Sequence, residues 1–390
     1  MKKIFLCSLL LALTLSSPAL AYGPGGHKII GAIADQKLAD TPAGARATEL
    51  LNGYTLQEAS IMVDTIKQWD KPGIDDPKVL RYFSSHPKIA QQLRDFWKAN
   101  PPTTDAKSAV PSHHWFHYTD VPLVGEAKYA AGKIGRSPWD IVQTMRYCIA
   151  VLQGKEPEEN ARKITKPIAL ILLAHFVGDI HQPLHVGAQY FNAKGQPVDP
   201  ERGGESFPDE GGNSLRLKLT RDFVPRKKEL KLHSFWDGET VSANLPQFPD
   251  TMPKEERQVK MDAAEQELSE RLAKEEPKNW RLPADVALRD YPEAWADGIM
   301  PLARQAHARL RYQNVTPKLD RDKMVGDGEA VEEPTKDGLS YSKWSARMVL
   351  HEMHRAGWRL ADLLEKALGP NEPTSTPSAA SSPSASPANA

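Results

Sequence analysis

The hydrophobic pattern of the chain is strongest between residues 168 and 180, where almost every position is apolar. Pro167 stands at the start of this run, and Pro183 follows its end. Proline suits the first turn of a helix but cannot continue one in its interior. The pattern therefore predicts a buried helix that begins near Pro167 and is ended by Pro183, where the chain turns.

Histidines and one aspartate interrupt this apolar segment. His175 and Asp179 are four residues apart and so share one face of the predicted helix, and the turn lets His185 approach that face. Buried imidazoles and carboxylates are costly unless they are paired or bound to metal, and zinc prefers this ligand set. The alternative is a core histidine hydrogen-bonded to a neighbouring carboxylate. His233 and Asp237 repeat the spacing beside aromatic residues, which favours more than one metal ion.

Helical patterns recur along the rest of the chain, whereas few segments alternate between apolar and polar residues as strands do. Further helices are predicted over residues 29–38, 255–273, 292–312 and 341–368, the last ended by Gly369 and Pro370. Residues 189–212 are rich in Gly, Pro and acidic residues and are predicted to form a long loop, followed by a strand over 214–219. The predicted fold class is mainly α, in a single multi-helix domain over residues 22–369.

The two ends of the chain have a different character. Residues 1–21 combine two lysines, an apolar run and the small-residue box Ala19-Leu20-Ala21, which is typical of a cleaved signal peptide. The mature chain is then expected to begin at Tyr22, to be exported to the periplasm or secreted, and not to reside in a membrane. Residues 370–390 are mostly Pro, Ser, Ala and Thr, which predicts a disordered tail.

Charge and cysteine content limit how the protein could attract phosphate and how it could be stabilised. Lys and Arg together number 50, as do Asp and Glu, so no global positive charge attracts nucleic acid and any attraction for phosphate has to be local. Cys7 leaves with the predicted signal peptide, so Cys148 would have no intramolecular disulfide partner. Stability is therefore expected from the core and from bound metal.

Two shorter motifs precede the central helix. His27 follows a glycine-rich stretch directly after the predicted cleavage site, and its alternative interpretation is an exposed histidine in a mobile N-terminus. Asp64 lies within an apolar helical stretch, three residues before Lys67. These two could simply form a salt bridge on a helix surface.

A cluster of histidines occupies residues 112–122, which mix aromatic and polar residues as a short extended segment does. The candidate ligands are His113, His114 and His117, with Asp120 close by. The alternative is a half-buried strand whose histidines are solvated.

Taken together, these motifs resemble the zinc-dependent type I nucleases, which include single-strand-preferring nucleases of fungi, bifunctional nucleases of plants and bacterial relatives. The resemblance extends from Tyr22 to about Leu368 and implies a mostly helical fold shared with the bacterial zinc phospholipases C. It also implies three Zn²⁺ ions in one cleft. The first ion would be bound by Asp64, His117, His175 and Asp179, the second by His185, His233 and Asp237, and the third by His27, Asp179 as a bridge, and the main-chain amine and carbonyl of Tyr22.

The resemblance also implies roles for residues around the metals. Asp120 matches the aspartate that orients the attacking water, and Lys67 matches a basic residue that stabilises the phosphate. Tyr118 stands where the family has an aromatic residue that stacks on a base, and Asn213 matches its GGN motif. The implied activity is hydrolysis of single-stranded DNA and RNA to 5′-nucleotides by a monomer, with 3′-nucleotidase activity left open.

Two other functions compete with this interpretation. A phospholipase C-like phosphodiesterase would use the same metals, but those enzymes have glutamate at the position of Asp237. A periplasmic zinc-binding protein without catalysis would keep the ligands but would not need Lys67 and Asp120. The chain also departs from the nuclease pattern, because Tyr22 replaces the usual tryptophan and the loop after His185 is longer than usual.

Overall fold

The computed structural model describes residues 22–70, 86–102, 112–125, 128–219, 230–319, 322–331 and 338–369. The predicted signal peptide and the predicted C-terminal tail lie outside these residues.

Helices make up most of the described chain, which confirms the mainly α fold class. The α-helices are α1 (Gly23–Leu38), α2 (Pro42–Leu50), α3 (Leu56–Ala59), α4 (Met62–Ile66), α5 (Pro87–Ala99), α6 (Ile141–Leu152), α7 (Lys166–Ile180), α8 (Leu232–Ser234), α9 (Thr240–Ser242), α10 (Lys254–Lys274), α11 (Tyr291–Ala308) and α12 (Tyr341–Leu368). Short 3₁₀ turns include Lys67–Asp70, His113–His117 and Pro183–His185, and Phe235–Glu239 form a π-helical turn between α8 and α9.

The predicted apolar helix is α7, and it lies at the centre of the fold. The Thr165 side chain caps its first turn, and every residue from Ile168 to Ile180 is buried. Helices α1, α6 and α12 all pack against it. A helix that is apolar on every side has to be surrounded in this way, so its few polar side chains are necessarily buried as well.

Helices α1 and α12 pack closely beside α7. A Cβ atom on Gly357 would lie only 2.5 Å from Cβ of Ile33, so the missing side chain lets the two helices approach. Helix α12 has the predicted bounds, whereas α1 begins earlier than predicted, at Gly23. This earlier start brings His27 into the helix.

Strands are more extensive than the sequence suggested. They are β1 (Val121–Pro122), β2 (Gly187–Ala188), β3 (Tyr190–Phe191), β4 (Phe207–Pro208), β5 (Leu215–Lys218), β6 (Leu310–Lys318) and β7 (Lys323–Ala330). The order β5-β7-β6 forms a three-stranded sheet in which β5 is parallel and β6 antiparallel to β7. The strand predicted over 214–219 is confirmed, and the loop predicted over 189–212 contains the two-residue strands β3 and β4 and the 3₁₀ turn Pro200–Arg202.

The helix predicted over 292–312 is wrong at its end, because α11 stops at Ala308 and the chain continues as β6. Leu310 is buried at its start, and exposed and half-buried positions alternate over residues 314–318, as on a sheet with one partly covered face. The extended segment predicted over 112–122 is wrong for His113–His117, which form a 3₁₀ turn. Ser112 accepts a hydrogen bond from the His114 N–H at 3.2 Å and so starts this turn.

Within the described ranges, each helix is too short or too polar to cross a membrane.

Candidate metal centre

Asp179 is the carboxylate on which the largest group of histidines converges. It lies on α7 one turn after His175, and its side chain is fully buried. Its Oδ1 atom is 3.3 Å from Nε2 of His27. Its Oδ2 atom is 2.8 Å from Nδ1 of His117 and 3.3 Å from Nε2 of His175. The two oxygens therefore face two different sets of imidazoles, as a carboxylate that bridges two metal ions would.

His27 is fully buried, so the interpretation as an exposed N-terminal histidine is wrong. Its ring stacks on His175 with the ring centres 3.9 Å apart. Gly178 makes this approach possible, because a Cβ there would lie 2.7 Å from Nδ1 of His27. Neither ring nitrogen of His27 has a hydrogen-bond partner among the residues described. A buried imidazole in this state calls for a ligand.

Asp64 and Lys67 do form the salt bridge that their spacing allowed, with Nζ 2.8 Å from Oδ1. The pair is not on a helix surface, since the two side chains are only 10% and 7% exposed. Oδ1 of Asp64 also lies 3.8 Å from Nε2 of His175. Burial raises the pKa of Asp64, but the charges of Lys67, His175, His117 and His27 together outweigh it and hold the pKa well below its usual range.

The second His/Asp pair forms a separate cluster with His185. Nε2 of His233 is 3.1 Å from Nε2 of His185 and 3.4 Å from Oδ2 of Asp237. Nε2 of His185 is 3.9 Å from Oδ1 of Asp237. All three side chains are buried, and Asp237 lies on the π-helical turn. Such turns are frequent at functional sites.

Main-chain carbonyls fix the orientation of three of these histidines. His175 donates from Nδ1 to Ser60 at 2.6 Å, His185 to His117 at 2.7 Å, and His233 to Gly211 at 2.7 Å. With the proton on Nδ1, each Nε2 presents a lone pair to its cluster, which is the arrangement of metal-binding histidines. Two facing lone pairs cannot bond to each other without a proton or cation between them. Ligands of a tetrahedral zinc ion lie about 3.3 Å apart, which the separations of 3.1 to 3.4 Å match.

Tyr22 lies at the N-terminal end of α1 with its side chain fully buried. Its carbonyl accepts a hydrogen bond from the Gly26 N–H at 3.1 Å. The pKa of the phenol is raised well above its usual value by burial, and also by Glu352, Asp237 and Asp179. The phenol of Tyr22 is therefore close enough to Asp179 and Asp237, one carboxylate from each cluster, to be affected by their charges.

Asp120 and Tyr118 flank the histidine turn on its C-terminal side, and both are half-buried. Burial raises the pKa of the Asp120 carboxyl to about 7, with further contributions from Glu210 and Asp140. A carboxyl with this pKa exchanges a proton near neutral pH, as a general base does. Tyr118 lies beside Trp115, with the ring centres 6.3 Å apart.

Asn213 lies in a turn that touches the second cluster. Its side chain donates to the Glu210 carbonyl at 3.2 Å, and the preceding Gly211 and Gly212 carbonyls accept from His233. Asn213 also opens onto a groove of about 680 Å³ along the three-stranded sheet. The basic side chains that line this groove are Arg216, Lys231, Lys318 and Lys323.

Sequence reasoning missed the groups that hold the ligands in place. Gln182 donates from Nε2 to Oδ1 of Asp237 at 2.7 Å and so orients that carboxylate. Its position between two histidines was the available signal. The Ser60 and Gly211 carbonyls left no signal, because any residue type can supply a main-chain oxygen.

Comparison with known proteins gives a consistent match. A family described as S1/P1 Nuclease matches residues 22–369. Three proteins of Arabidopsis thaliana are similar to parts of the chain: Endonuclease 4 at 28% identity over 102 residues, Endonuclease 1 at 34% over 84, and Endonuclease 2 at 27% over 145. These alignments cover 26%, 22% and 34% of this chain and 26%, 20% and 41% of the respective relatives. The chain thus spans less than half the length of each relative.

Proposed function

The chain belongs to the S1/P1 nuclease family, and from this premise we propose that it is a zinc-dependent phosphodiester hydrolase acting on single-stranded DNA and RNA. Its members are zinc enzymes that act on nucleic acids. The products are 5′-nucleotides, and 3′-nucleotidase activity at the same site is an open alternative. The observation that carries this proposal is the convergence of buried imidazoles on Asp179 and Asp237 with their lone pairs facing inward.

We propose that three zinc ions share this donor set. One ion is assigned to Asp64, His117, His175 and Asp179, a second to His185, His233 and Asp237, and a third to His27, Asp179 and the main-chain atoms of Tyr22. The two oxygens of Asp179, which face separate imidazoles, support its role as the shared ligand. Zinc bound there would act as a Lewis acid that activates water and offsets phosphate charge.

Two side chains of the protein are assigned to the chemistry itself. Asp120 accepts the proton of the attacking water, a role supported by its pKa of about 7. Lys67 adds positive charge where the phosphate becomes more negative in the transition state. Its salt bridge to Asp64 holds the ammonium beside the ligand cluster.

The basic groove supports a nucleic acid substrate over a phospholipid. It is lined by Asn213, beside the second cluster, and by four basic side chains, of which Arg216 pairs with Asp327 and Lys323 with Glu210. Several basic side chains in one groove suit a repeating phosphate backbone, whereas a phospholipid carries one phosphate. Tyr118 is assigned to stacking on a base, which tolerates any sequence and favours single strands. Asn213 is assigned to substrate binding.

Export is part of the proposal. We assign residues 1–21 to a signal peptide and residues 22–369 to the nuclease domain. The mature protein acts as a monomer in the periplasm or outside the cell. Members of the family are generally secreted, which supports this location.

The activity is tested with purified protein that begins at Tyr22. It is assayed on single-stranded DNA, RNA, 3′-AMP and phosphatidylcholine, before and after chelation and after zinc is returned. Release of 5′-nucleotides that stops on chelation and recovers with zinc is the expected result. Choline phosphate release without nucleotide release would establish the phospholipase alternative, and zinc binding without any hydrolysis would establish a non-catalytic protein.

Asp120→Asn tests the assignment of the general base. The variant should keep the zinc content of the wild type, because Asp120 is not assigned to a metal, and should lose about a hundred- to ten-thousand-fold in kcat. Zinc per chain is measured by elemental analysis beside single-turnover rates, with the exposed Asp285→Asn as the matched control. Loss of metal together with activity would show that Asp120 is a ligand.

A protein that carries extra residues before Tyr22 tests the third zinc ion. A free α-amine can bind a metal once it is deprotonated, whereas the nitrogen of a peptide bond has no comparable lone pair. The extended form should therefore bind one zinc ion fewer than the form that begins at Tyr22. Equal zinc content and equal rates on single-stranded DNA would contradict the main-chain ligand.

A further inference from the structure

Asp70, His113 and His114 form another His/Asp cluster that none of the assignments above uses. Asp70 ends the 3₁₀ turn Lys67–Asp70, and the two histidines begin the turn His113–His117. Nε2 of His114 lies 2.6 Å from Oδ2 of Asp70, and Nε2 of His113 lies 3.7 Å from Oδ1. All three donor atoms lie within 4.8 Å of one another, as they do in the cluster around Asp237.

His113 is the residue in this cluster that lacks a partner. Its side chain is 0% exposed. Neither of its ring nitrogens has a hydrogen-bond partner within the described parts of the chain. Burial lowers the pKa of His113 to about 4, although Asp70 opposes the shift, so the imidazole is neutral at pH 7. A neutral buried imidazole with an unused lone pair is costly unless a ligand satisfies it.

The carboxylate is also prepared to bind a cation. Trp97 donates from Nε1 to Oδ1 of Asp70 at 2.6 Å, and such support orients the carboxylates that ligate metals. Burial raises the pKa of Asp70, but the nearby His113 imidazole and the hydrogen bonds with His114 and Trp97 together outweigh it and hold the pKa below its usual range. Asp70 is therefore ionised at neutral pH.

We propose that Asp70, His113 and His114 form a fourth metal site, which takes one zinc ion. Two imidazoles and a carboxylate are a ligand set that zinc accepts. His114 is 35% exposed, so solvent can reach the coordination position that the protein leaves open. The ion ties the end of the turn that carries Lys67 to the start of the turn that carries His117. It therefore holds in place the two segments that bring these residues to the cleft.

The zinc content of a variant tests this site separately from nuclease activity. His114→Ala removes a partly exposed ligand and should bind one zinc ion fewer per chain than the wild type, as measured by elemental analysis after gel filtration in zinc-free buffer. His351→Ala, which removes an exposed histidine on α12, is the matched control and should keep the wild-type content. Equal zinc content in all three proteins would overturn the proposal.

Crystals of the unmutated protein give a second test that does not depend on how the variant folds. Anomalous scattering at the zinc edge should show a peak about 2 Å from Nε2 of His113, Nε2 of His114 and a carboxylate oxygen of Asp70. Peaks at Asp179 and Asp237 with none at Asp70 would overturn this site and leave the proposed function intact. A peak at Asp70 in a protein without nuclease activity would support this site and overturn the proposed function.

Discussion

The carboxyl groups assigned to the site fall into two groups whose pKa values are shifted in opposite directions. Asp64 and Asp179 lie among histidines, Asp64 also pairs with Lys67, and the pKa values of both carboxyls lie well below the usual range even though burial opposes this. Asp120 and Asp237 make up the second group, in which burial raises the pKa to about 7 for Asp120 and well above the usual carboxyl range for Asp237. The pairs His175/Asp179 and His233/Asp237 have the same i, i+4 spacing, yet the pKa of the aspartate is lowered in the first pair and raised in the second.

The difference shows how the negative charge of each aspartate is compensated in the absence of metal. Around Asp179, imidazoles already compensate the negative charge, so the fold can hold an ionised carboxylate before a metal arrives. Around Asp237, burial is the main cause of the raised pKa, and the charges of Asp179 and Asp64 raise it further, although the hydrogen bond from Gln182 and the charge of Lys67 act against them. A buried carboxylate in that position requires a proton or a cation. The cluster of His185, His233 and Asp237 therefore depends on a bound metal ion more than the cluster around Asp179 does.

The largest effect is expected from Asp179→Ala. Because both oxygens of Asp179 face imidazoles, the variant should lose two zinc ions and a large part of its stability, since metal-binding free energy contributes to folding. Asp237→Ala is the matched comparison and should lose one ion. Zinc per chain and the melting temperature are the measurements. Retention of three or more zinc ions in Asp179→Ala would rule out a bridging carboxylate.

A smaller effect of opposite sign is expected from Asp237→Asn in metal-free protein. The folded pKa of Asp237 is raised, so the folded state keeps a proton that the unfolded chain releases above about pH 4. Metal-free wild type should therefore lose stability as the pH rises above this value, by up to about 1.4 kcal/mol per pH unit, and the amide should remove this loss.

Urea unfolding in the presence of a chelator, between pH 5 and 8, measures this difference. Asp179→Asn is the control, because a lowered folded pKa contributes stability above the unfolded value that is lost as the pH falls. That variant should be less stable than wild type at pH 8. If metal-free Asp237→Asn is also less stable than wild type at pH 8, the proposed contrast between Asp179 and Asp237 is wrong.

The smallest effect is expected from Glu210→Gln, which tests the cause of the raised pKa of Asp120 and changes no assigned metal ligand. After burial, Glu210 is the largest contributor to the raised pKa of Asp120, so its removal should lower that pKa. Activity needs the ionised carboxylate, so the acid limb of the pH–rate profile should move to lower pH, by less than about one unit. Glu205→Gln, an exposed change in the same loop, should leave the profile in place. If the acid limb does not move in Glu210→Gln, the group whose ionisation controls the rate is not Asp120.

The parts of the site that were predictable depend on local periodicity. The positions of His175 and Asp179 follow from the apolar helix, because an i, i+4 pair shares a face whatever the rest of the chain does. The hairpin of β6 and β7 was missed because β7 contains Gly326 and Gly328 and is held by pairing with β5, more than a hundred residues earlier. Such non-local pairing leaves no periodic signal in either segment.

The support of the ligands was unpredictable for a similar reason. The Ser60 carbonyl that orients His175 comes from another element, and its chemistry does not depend on residue type. The π-helical turn that carries Asp237 was not foreseen either, although the i, i+4 spacing indicated that His233 and Asp237 would be neighbours.

The burial of His27 against Asp179 has a consequence for how the chain is held together. These residues are separated by about 150 positions, and an ion bound between them would close a loop of that size, as a disulfide does when it restricts the unfolded chain. The described cysteine, Cys148, is a free and buried thiol. Metal ions would then serve as the cross-links that secreted proteins commonly build from sulfur. Such a protein should keep its melting temperature in a reducing agent and lose many degrees of it in a chelator.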